Sequence, residues 1–164
     1  MEKYNLYIDF DGVILDTVSP MYEEINKKEL SKEELTSFFE KYPWQNIIKD
    51  EYIINDAINK IRKIIDTDKF NLAILTHVNS LNEAVLKVKY LRKYFKDITI
   101  IPCPKAISKT KMIHTKGAIL VDDYAGNLRE WEKEGGIPVR FSLKGNGKGF
   151  KVVKELDELI DMFD

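Results

Sequence analysis

The segment Leu6-Tyr7-Ile8-Asp9-Phe10-Asp11-Gly12 decides how the rest of the chain is interpreted. It begins as a near-continuous run of β-forming apolar residues, which is the pattern of a strand buried on both faces. Asp9 and Asp11 follow where this run ends, and both carboxylates face one side because side chains alternate along an extended chain. In open α/β sheets, ligands bind at this carboxyl end of the strands. The segment therefore predicts a site where two acids lie close enough to share a cation or a proton.

Length and composition indicate one globular domain. The chain has 164 residues, of which 44% are hydrophobic and 32% charged, and its formal net charge is −1. This charge gives no global attraction to nucleic acid polymers or to membrane surfaces. Cys103 is the one cysteine, so an intramolecular disulfide is excluded and a cytoplasmic location is expected. The first residues pass straight into a strand and leave no room for a signal peptide. A homodimer is compatible with the sequence.

Five apolar runs predict strands, and apolar residues at helical spacing separate them. The runs are Tyr4–Ile8, Leu72–Leu75, Ile98–Ile101, Ala118–Val121 and Val139–Phe141. Strands that alternate with helices indicate a five-stranded parallel sheet with right-handed crossovers, which is an α/β fold. The apolar residues from Val152 to Phe163 predict a terminal amphipathic helix.

Residues 18–66 interrupt this alternation with a mostly helical pattern. Ser31 to Glu34 fits a capping box, and the apolar residues from Ile53 to Ile65 recur at helical spacing. We assign residues 18–66 to a small helical cap, and residues 1–17 and 67–164 to the core domain. The aromatic residues of the cap are expected to pack its core, and base stacking is the alternative. They are Phe38, Phe39, Tyr42 and Trp44.

Two further helix starts carry capping signals. Asp16 and Thr17 are expected to cap the segment that follows the first strand. Ser80 and Glu83 form a second capping box, which opens the helix after the second strand.

Polar residues recur at the ends of the later strands. Thr76 and His77 end the second strand, and Asp122 and Asp123 follow the fourth. A parallel sheet brings these ends to one edge, where carboxylates can bind Mg²⁺ and a hydroxyl and a lysine can hold phosphate oxygens. An aspartate held beside a phosphate can attack phosphorus. Three lysines precede the fourth strand, namely Lys105, Lys109 and Lys111.

These residues resemble the motifs of the haloacid dehalogenase-like (HAD) hydrolases, in order and in spacing. Asp9-Phe10-Asp11-Gly12-Val13 is similar to the first motif, Leu75-Thr76 to the second, and Leu120-Val121-Asp122-Asp123 to the fourth. The third motif is a lysine that opens a helix. Lys109 fits it because it follows Ser108 and precedes an apolar pair, and Lys111 is the alternative.

The resemblance implies a Rossmann-like core and a phosphomonoester hydrolase with a cap after the first strand. Asp9 would be the nucleophile, forming an aspartyl-phosphate, and also a Mg²⁺ ligand. Asp11 would be the general acid and base, with its main-chain carbonyl on the metal. An acid at this position favours phosphoryl transfer over dehalogenation.

The remaining implied roles concern the phosphoryl group and the metal. Thr76 and Lys109 would bind the transferred phosphoryl group, and His77, next to Thr76, could also contact the substrate. Asp122 and Asp123 would complete the Mg²⁺ site, with either of them as the direct ligand.

A closer resemblance is to the 5'(3')-deoxyribonucleotidase branch. The segments Leu120–Leu128 and Gly135–Val139 are similar to its acidic pair with Asn-Leu and to its Gly-Gly-x-Pro pattern, and Lys87 to Leu91 resembles its Lys-x-x-Trp-apolar pattern with Tyr90 in place of Trp. Thr76-His77-Val78 departs from the Thr-Ser-Pro of that branch. The resemblance implies a nucleoside monophosphate as substrate, and a sugar phosphate or another small phosphomonoester is the alternative.

Two other classes of protein share part of this chemistry. A receiver-like switch also uses acids, a hydroxyl and a lysine on a parallel sheet, but it lacks a helical insertion after the first strand. A phosphatase acting on nucleic-acid ends would need a basic stripe, which this near-neutral sequence does not provide. Both are weaker interpretations than a hydrolase of small phosphomonoesters.

Overall fold

The first apolar run forms the central strand of a parallel sheet. The computed structural model describes residues 2–164, so Met1, the first residue of the predicted core domain, lies outside the described part. The strands are β1 (Tyr4–Ile8), β2 (Phe70–Val78), β3 (Thr99–Pro104), β4 (Ile119–Asp122), β5 (Ile137–Phe141) and β6 (Lys151–Val153). Their order is β3-β2-β1-β4-β5-β6, and every neighbouring pair is parallel. The predicted α/β fold is therefore confirmed.

The predicted number of strands is wrong, because the sheet has six rather than five. Val152 and Val153, which we placed in a terminal helix, belong to β6 and pair with β5 at the edge of the sheet. A strand of three residues is too short for its alternation to be recognised beside a helical pattern. The chain after β6 forms a 3₁₀ turn at Leu156–Glu158 and then a short helix, rather than one continuous helix.

Six α-helices and four short 3₁₀ helices connect the strands in the described part of the chain. The α-helices are α1 (Val18–Ile25), α2 (Lys32–Lys41), α3 (Ala57–Asp66), α4 (Leu81–Tyr94), α5 (Ala125–Lys133) and α6 (Leu159–Met162). The 3₁₀ helices are Trp44–Asn46, Asp50–Tyr52, Lys109–Lys111 and Leu156–Glu158. None of the helices within residues 2–164 has the length and apolar character needed to cross a bilayer.

The two faces of the sheet bury separate hydrophobic clusters. Leu6 and Ile8 of β1 pack into the larger cluster with α3, α4 and α6. Tyr7, which alternates with them along the strand, packs with Leu120 and with Trp131 of α5 on the other face. Helices on both faces explain why the strands are apolar almost throughout.

The segment between β1 and β2 contributes to two different cores. Met21, Tyr42, Trp44 and Ile47 form a small cluster of their own. In contrast, α3 buries Ala57, Ile58, Ile61 and Ile64 in the main cluster under the sheet. Full burial of each isoleucine contributes about 1.5–3 kcal/mol, which anchors α3 to the core. The boundaries of the cap, residues 18–66, remain a prediction, and the part with its own core precedes α3.

Strand register brings the predicted site residues to one edge. β1 lies between β2 and β4, and Ile8 is paired with Ile74 on one side and Val121 on the other. The Asp9 amide donates a hydrogen bond to the Val121 carbonyl at 2.9 Å, so Asp9 stays in line with the end of β4. The residues that follow these pairs therefore meet at the carboxyl edge of the sheet.

Candidate active site

The loop after β1 folds back against the end of β4. Gly12 has φ 77°, a conformation that L-residues with side chains rarely adopt. A Cβ at Gly12 would also collide with the Asp123 carboxylate. Glycine at this position thus allows the loop that carries Asp11 to lie directly against the acidic pair.

The Lys109 ammonium group bridges Asp9, which follows β1, and Asp122, which ends β4. Ser108 starts the short helix Lys109–Lys111 by accepting a hydrogen bond from the Thr110 amide at 3.3 Å. The Lys109 side chain is buried, and its Nζ donates to Asp9 Oδ1 at 2.9 Å and to Asp122 Oδ2 at 2.8 Å. Lys105 and Lys111 are exposed. Of the three candidate lysines, Lys109 is the one that meets the carboxylates.

Three carboxylates cluster beside this ammonium group. Asp9, Asp122 and Asp123 each offer an oxygen, and these oxygens lie within 4.8 Å of one another. Asp122 is held in place by the Tyr124 amide on Oδ1 and by Asn127 Nδ2 on Oδ2, both at 2.9 Å. This set of oxygen donors fits Mg²⁺, which prefers carboxylate and water ligands. A divalent cation would also relieve the repulsion between such close acids.

Burial and the neighbouring charges shift the pKa values of these three acids in different directions. Burial, together with Asp122, raises the pKa of Asp9 well above its ordinary value, although Lys109 acts in the opposite direction. Burial followed by the charge of Asp122 raises the pKa of Asp123 to about 7. Burial acts to raise the pKa of Asp122 as well, but Lys109 and the donated hydrogen bonds hold it below its ordinary value. The site therefore retains the ionised form most firmly at Asp122.

The Asp11 carboxylate is held apart from the three clustered acids. Thr17 Oγ1 donates to Asp11 Oδ1 at 2.6 Å, and Lys87 Nζ donates to Asp11 Oδ2 at 2.6 Å. Thr17 therefore does not use its side chain as a helix cap, contrary to our expectation, whereas Asp16 Oδ1 accepts from the Ser19 amide at 3.1 Å. Metal binding through the Asp11 main-chain carbonyl remains a prediction.

Lys87 connects Asp11 to the end of β2. Its side chain is 0% exposed. Besides Asp11, Nζ donates to Thr76 Oγ1 and to the His77 main-chain oxygen, both at 3.0 Å. It also lies 2.6 Å from Glu83 Oε2. Burial opposes the charge of Lys87, but the carboxylates of Asp11 and Glu83 hold its pKa above the ordinary value.

Glu83 is the buried partner of this lysine. Its Oε1 accepts from the Asn79 amide at 2.7 Å and from Asn79 Nδ2 at 3.0 Å. Ser80 does cap α4, by accepting from the Glu83 amide at 3.1 Å, but the Glu83 carboxylate faces inwards instead of completing a capping box on Ser80. Burial raises the pKa of Glu83, although Lys87 acts to lower it.

Glu83 and Lys87 are missing from our assignment of the site, although Lys87 opens the segment that resembles the Lys-x-x-Trp-apolar pattern of the deoxyribonucleotidases. The signal available in the sequence was an acid and a lysine four residues apart, on the helix that directly follows Thr76. Such pairs are common on solvated helix faces, and only the packing of α4 shows that this pair faces the site.

Thr76 and His77 occupy different surroundings although they are adjacent. The Thr76 side chain is fully buried at the end of β2, within reach of Lys87. The His77 ring is half-buried, and its Nε2 donates to the Ile107 carbonyl at 2.9 Å. Burial lowers the pKa of His77, so the ring is neutral near pH 7. Phosphate binding by either side chain remains a prediction.

Comparison with known proteins identifies the fold. No protein-family model matches the chain, and no curated protein sequence matches it either. Among solved structures, a HAD hydrolase of family IA, variant 3, from Entamoeba histolytica aligns with a TM-score of 0.55 at 15% identity, over 94% of each chain. A D,D-heptose 1,7-bisphosphate phosphatase from Burkholderia thailandensis aligns with a TM-score of 0.59 at 16% identity, over 99% of each chain.

A third structure carries ligands. It is a D,D-heptose 1,7-bisphosphate phosphatase from B. bronchiseptica complexed with magnesium and phosphate, with a TM-score of 0.58 at 13% identity over 96% of this chain and 97% of that chain. The neighbours named here are thus HAD hydrolases and phosphatases. The chain has the Rossmann-like α/β fold of HAD hydrolases.

Proposed function

We propose that the protein is a Mg²⁺-dependent phosphomonoester hydrolase whose nucleophile is Asp9. The observation that carries this proposal is the buried Lys109 ammonium, shared by Asp9 and Asp122 at the carboxyl edge of the sheet, with Asp123 beside them. A carboxylate nucleophile, a cation for phosphoryl oxygens and a metal-binding set of acids are the parts that this reaction needs. The HAD fold of the chain supports the same class of activity.

Four residues of the site each have a role in the proposed reaction. An Asp9 oxygen attacks phosphorus, the bond from phosphorus to the leaving oxygen breaks, and Asp11 donates a proton to that oxygen. Asp11 then takes a proton from the water that hydrolyses the aspartyl-phosphate, which restores both acids. Lys109 and Thr76 bind the oxygens of the transferred phosphoryl group.

Asp9, Asp122 and Asp123, with the Asp11 carbonyl, would hold Mg²⁺. When bound, Mg²⁺ supplies charge that neutralises the phosphoryl oxygens.

The segment 18–66 serves in this proposal as a cap over the site. Its Trp44 ring lies 5.7 Å from Lys87 Nζ, which places the small hydrophobic cluster of the segment beside the Asp11 network. Leu86 of α4 packs against the same cluster. A cap of this kind excludes water and contacts the leaving group.

The preferred substrate is a 5'- or 3'-nucleoside monophosphate with either ribose or deoxyribose as its sugar. The similarity of the Leu120–Leu128 and Gly135–Val139 segments to the deoxyribonucleotidases supports it. A sugar phosphate is the second candidate, because two of the solved neighbours are D,D-heptose 1,7-bisphosphate phosphatases. A cytoplasmic location and a homodimer remain predictions from the sequence.

Phosphate release from a substrate panel tests the proposal. The panel contains ribo- and deoxyribonucleoside 5'- and 3'-monophosphates, sugar phosphates, phenyl phosphate and p-nitrophenyl phosphate with Mg²⁺. The Asp9→Asn protein is the control for contaminating phosphatases. We expect the highest kcat/KM on a nucleoside monophosphate. A higher value on sugar phosphates would select the second candidate. Accumulation of phosphoprotein without turnover, or no release from any ester, would show that the protein is not a phosphomonoester hydrolase.

A further inference from the structure

Lys87 has more oxygen partners than hydrogens to donate. Four oxygens surround Nζ, from Asp11, Thr76, His77 and Glu83, at distances of 2.6–3.0 Å. An ammonium group has three hydrogens. Every donor of Lys87 is therefore engaged within the protein, and none is left over for a phosphoryl oxygen.

The surroundings of Lys87 keep it in one place. Glu83, which is itself buried, is fixed by two hydrogen bonds from Asn79. The rings of Phe10 and Trp44 lie 5.2 and 5.7 Å from Nζ and form apolar walls around it. A buried ammonium group between two acids cannot leave this position without uncovering unpaired charges.

The two oxygens of Asp11 face chemically different partners. The ammonium group of Lys87 can only donate, so Oδ2 can only accept in this position. The Thr17 hydroxyl donates to Oδ1 from the other side of the carboxyl group at 2.6 Å. The contacts with Thr17 and Lys87 together fix the plane of the Asp11 carboxyl group.

We propose that Lys87, held by Glu83, is a positioning residue that orients the Asp11 carboxyl group for proton transfer to the leaving oxygen. This inference rests on the proposed phosphatase function and adds two residues to it. Lys87 acts through Asp11 and does not bind the phosphoryl group. Its removal should therefore matter most for substrates whose leaving oxygen needs protonation.

Two aryl esters of similar shape distinguish orientation of Asp11 from binding of the phosphoryl group. Phenyl phosphate has the poorer leaving group, and p-nitrophenyl phosphate the better one, which needs less protonation. The measured quantity is kcat/KM, because it covers the steps up to formation of the aspartyl-phosphate and excludes its hydrolysis. The variant is the double substitution Glu83→Gln with Lys87→Met, which removes the two fully buried charges together. The partly exposed Asp11 carboxylate then keeps only its hydrogen bond from Thr17.

For the double variant we expect kcat/KM to fall about a hundredfold on phenyl phosphate and less than about tenfold on p-nitrophenyl phosphate, in line with the value of general acid catalysis. Lys109→Met is the matched control, and it should reduce both values equally because the phosphoryl group is common to the two esters. Equal losses in the double variant would overturn the positioning role and would indicate direct phosphate binding.

Folding is monitored by thermal melting of each variant. If the double variant does not fold, Glu83→Gln alone serves as the test, with a smaller loss that is again larger on phenyl phosphate. An equal loss on both esters in that variant overturns the inference. If the parent protein releases phosphate from neither aryl ester nor from any other ester of the panel, the proposed function fails and the positioning role fails with it. If the parent hydrolyses both, only the positioning role is at stake.

Discussion

Lys109 and Lys87 are both buried ammonium groups between two acids, yet their remaining contacts differ. Within residues 2–164, Lys109 has Asp9 and Asp122 as its hydrogen-bond partners, so one of its three hydrogens has no protein acceptor. Lys87 has four oxygen partners and no hydrogen to spare. A buried lysine with a free donor can hold a substrate oxygen, whereas a saturated one can only hold the protein itself. Burial and pairing therefore do not define the role of a lysine until its hydrogen-bond donors are counted.

The largest expected effect is on the Lys109 side of the site. Asp9→Asn keeps the size of the side chain and removes the anionic nucleophile, so we expect no aspartyl-phosphate and essentially no turnover. Acid quenching followed by intact-protein mass spectrometry would detect the phosphoryl group. Asp11→Asn is the matched control on the Lys87 side, and it should still become phosphorylated by p-nitrophenyl phosphate. A phosphorylated Asp9→Asn protein would show that another residue is the nucleophile.

Metal removal should distinguish the acids beside Lys109 from those beside Lys87. The clustered acids Asp9, Asp122 and Asp123 adjoin Lys109, so chelation is expected to abolish turnover and added Mg²⁺ to restore it. Mg²⁺ should raise the melting temperature of the parent protein by binding the folded state. This shift should be lost in Asp123→Asn and kept in Glu83→Gln. Full activity after thorough metal stripping would contradict the assignment of these acids.

Lys109→Ala is expected to lower kcat/KM by about a hundredfold or more, because a single oriented charge on a phosphoryl oxygen contributes several kcal/mol to the transition state. Lys105→Ala should have a mild effect, since that side chain is exposed. Lys111→Ala serves as the second control. If Lys111→Ala were the damaging substitution, Lys111 and not Lys109 would be the lysine that binds the phosphoryl group.

The sequence allowed prediction of the residues that local rules control. Asp9, Thr76 and Asp122 end apolar runs, and parallel strands bring their ends to one edge, so their proximity followed from the α/β pattern. The sixth strand was not predicted because it has only three residues, of which Val152 and Val153 lie within a helical apolar pattern.

Glu83 and Lys87 were not predicted as site residues for a different reason. Glu83 satisfied a local rule, the capping box, which competed with its actual role as a buried partner. Lysine on an amphipathic helix usually lies on the solvated face, and no local rule turns it inwards. Their positions are set by tertiary packing of α4, to which residues far along the chain contribute.

The smallest expected effect comes from the contact between α4 and the segment before α3. It tests whether the position of Lys87 depends on that segment. Tyr90 and Tyr94 of α4 both donate hydrogen bonds to Asp50 in that segment, so α4 contacts it three residues beyond Lys87. The hydrogen bond from Tyr94, followed by that from Tyr90, lowers the pKa of Asp50. Because the folded-state pKa is depressed, the contact stabilises the protein above the unfolded-state pKa of aspartate, about 3.9. That stabilisation is lost as the pH falls through the lower folded-state pKa.

Asp50→Asn should therefore lower the melting temperature at pH 7 by no more than about 2–4 °C, since exposed charged contacts contribute at most about 1 kcal/mol. The difference from the parent should shrink as the pH is lowered from 5 to 3. Glu51→Gln is the matched control, because this exposed acid of the same 3₁₀ helix pairs with Lys49.

The ratio of kcat/KM for the two aryl esters should stay at the parent value in Asp50→Asn, because Glu83 and Asn79 hold Lys87 from within α4 and its preceding turn. A changed ratio would mean that the segment before α3 takes part in orienting Asp11. Melting curves that coincide for Asp50→Asn and Glu51→Gln at every pH would remove Asp50 as an anchor of α4.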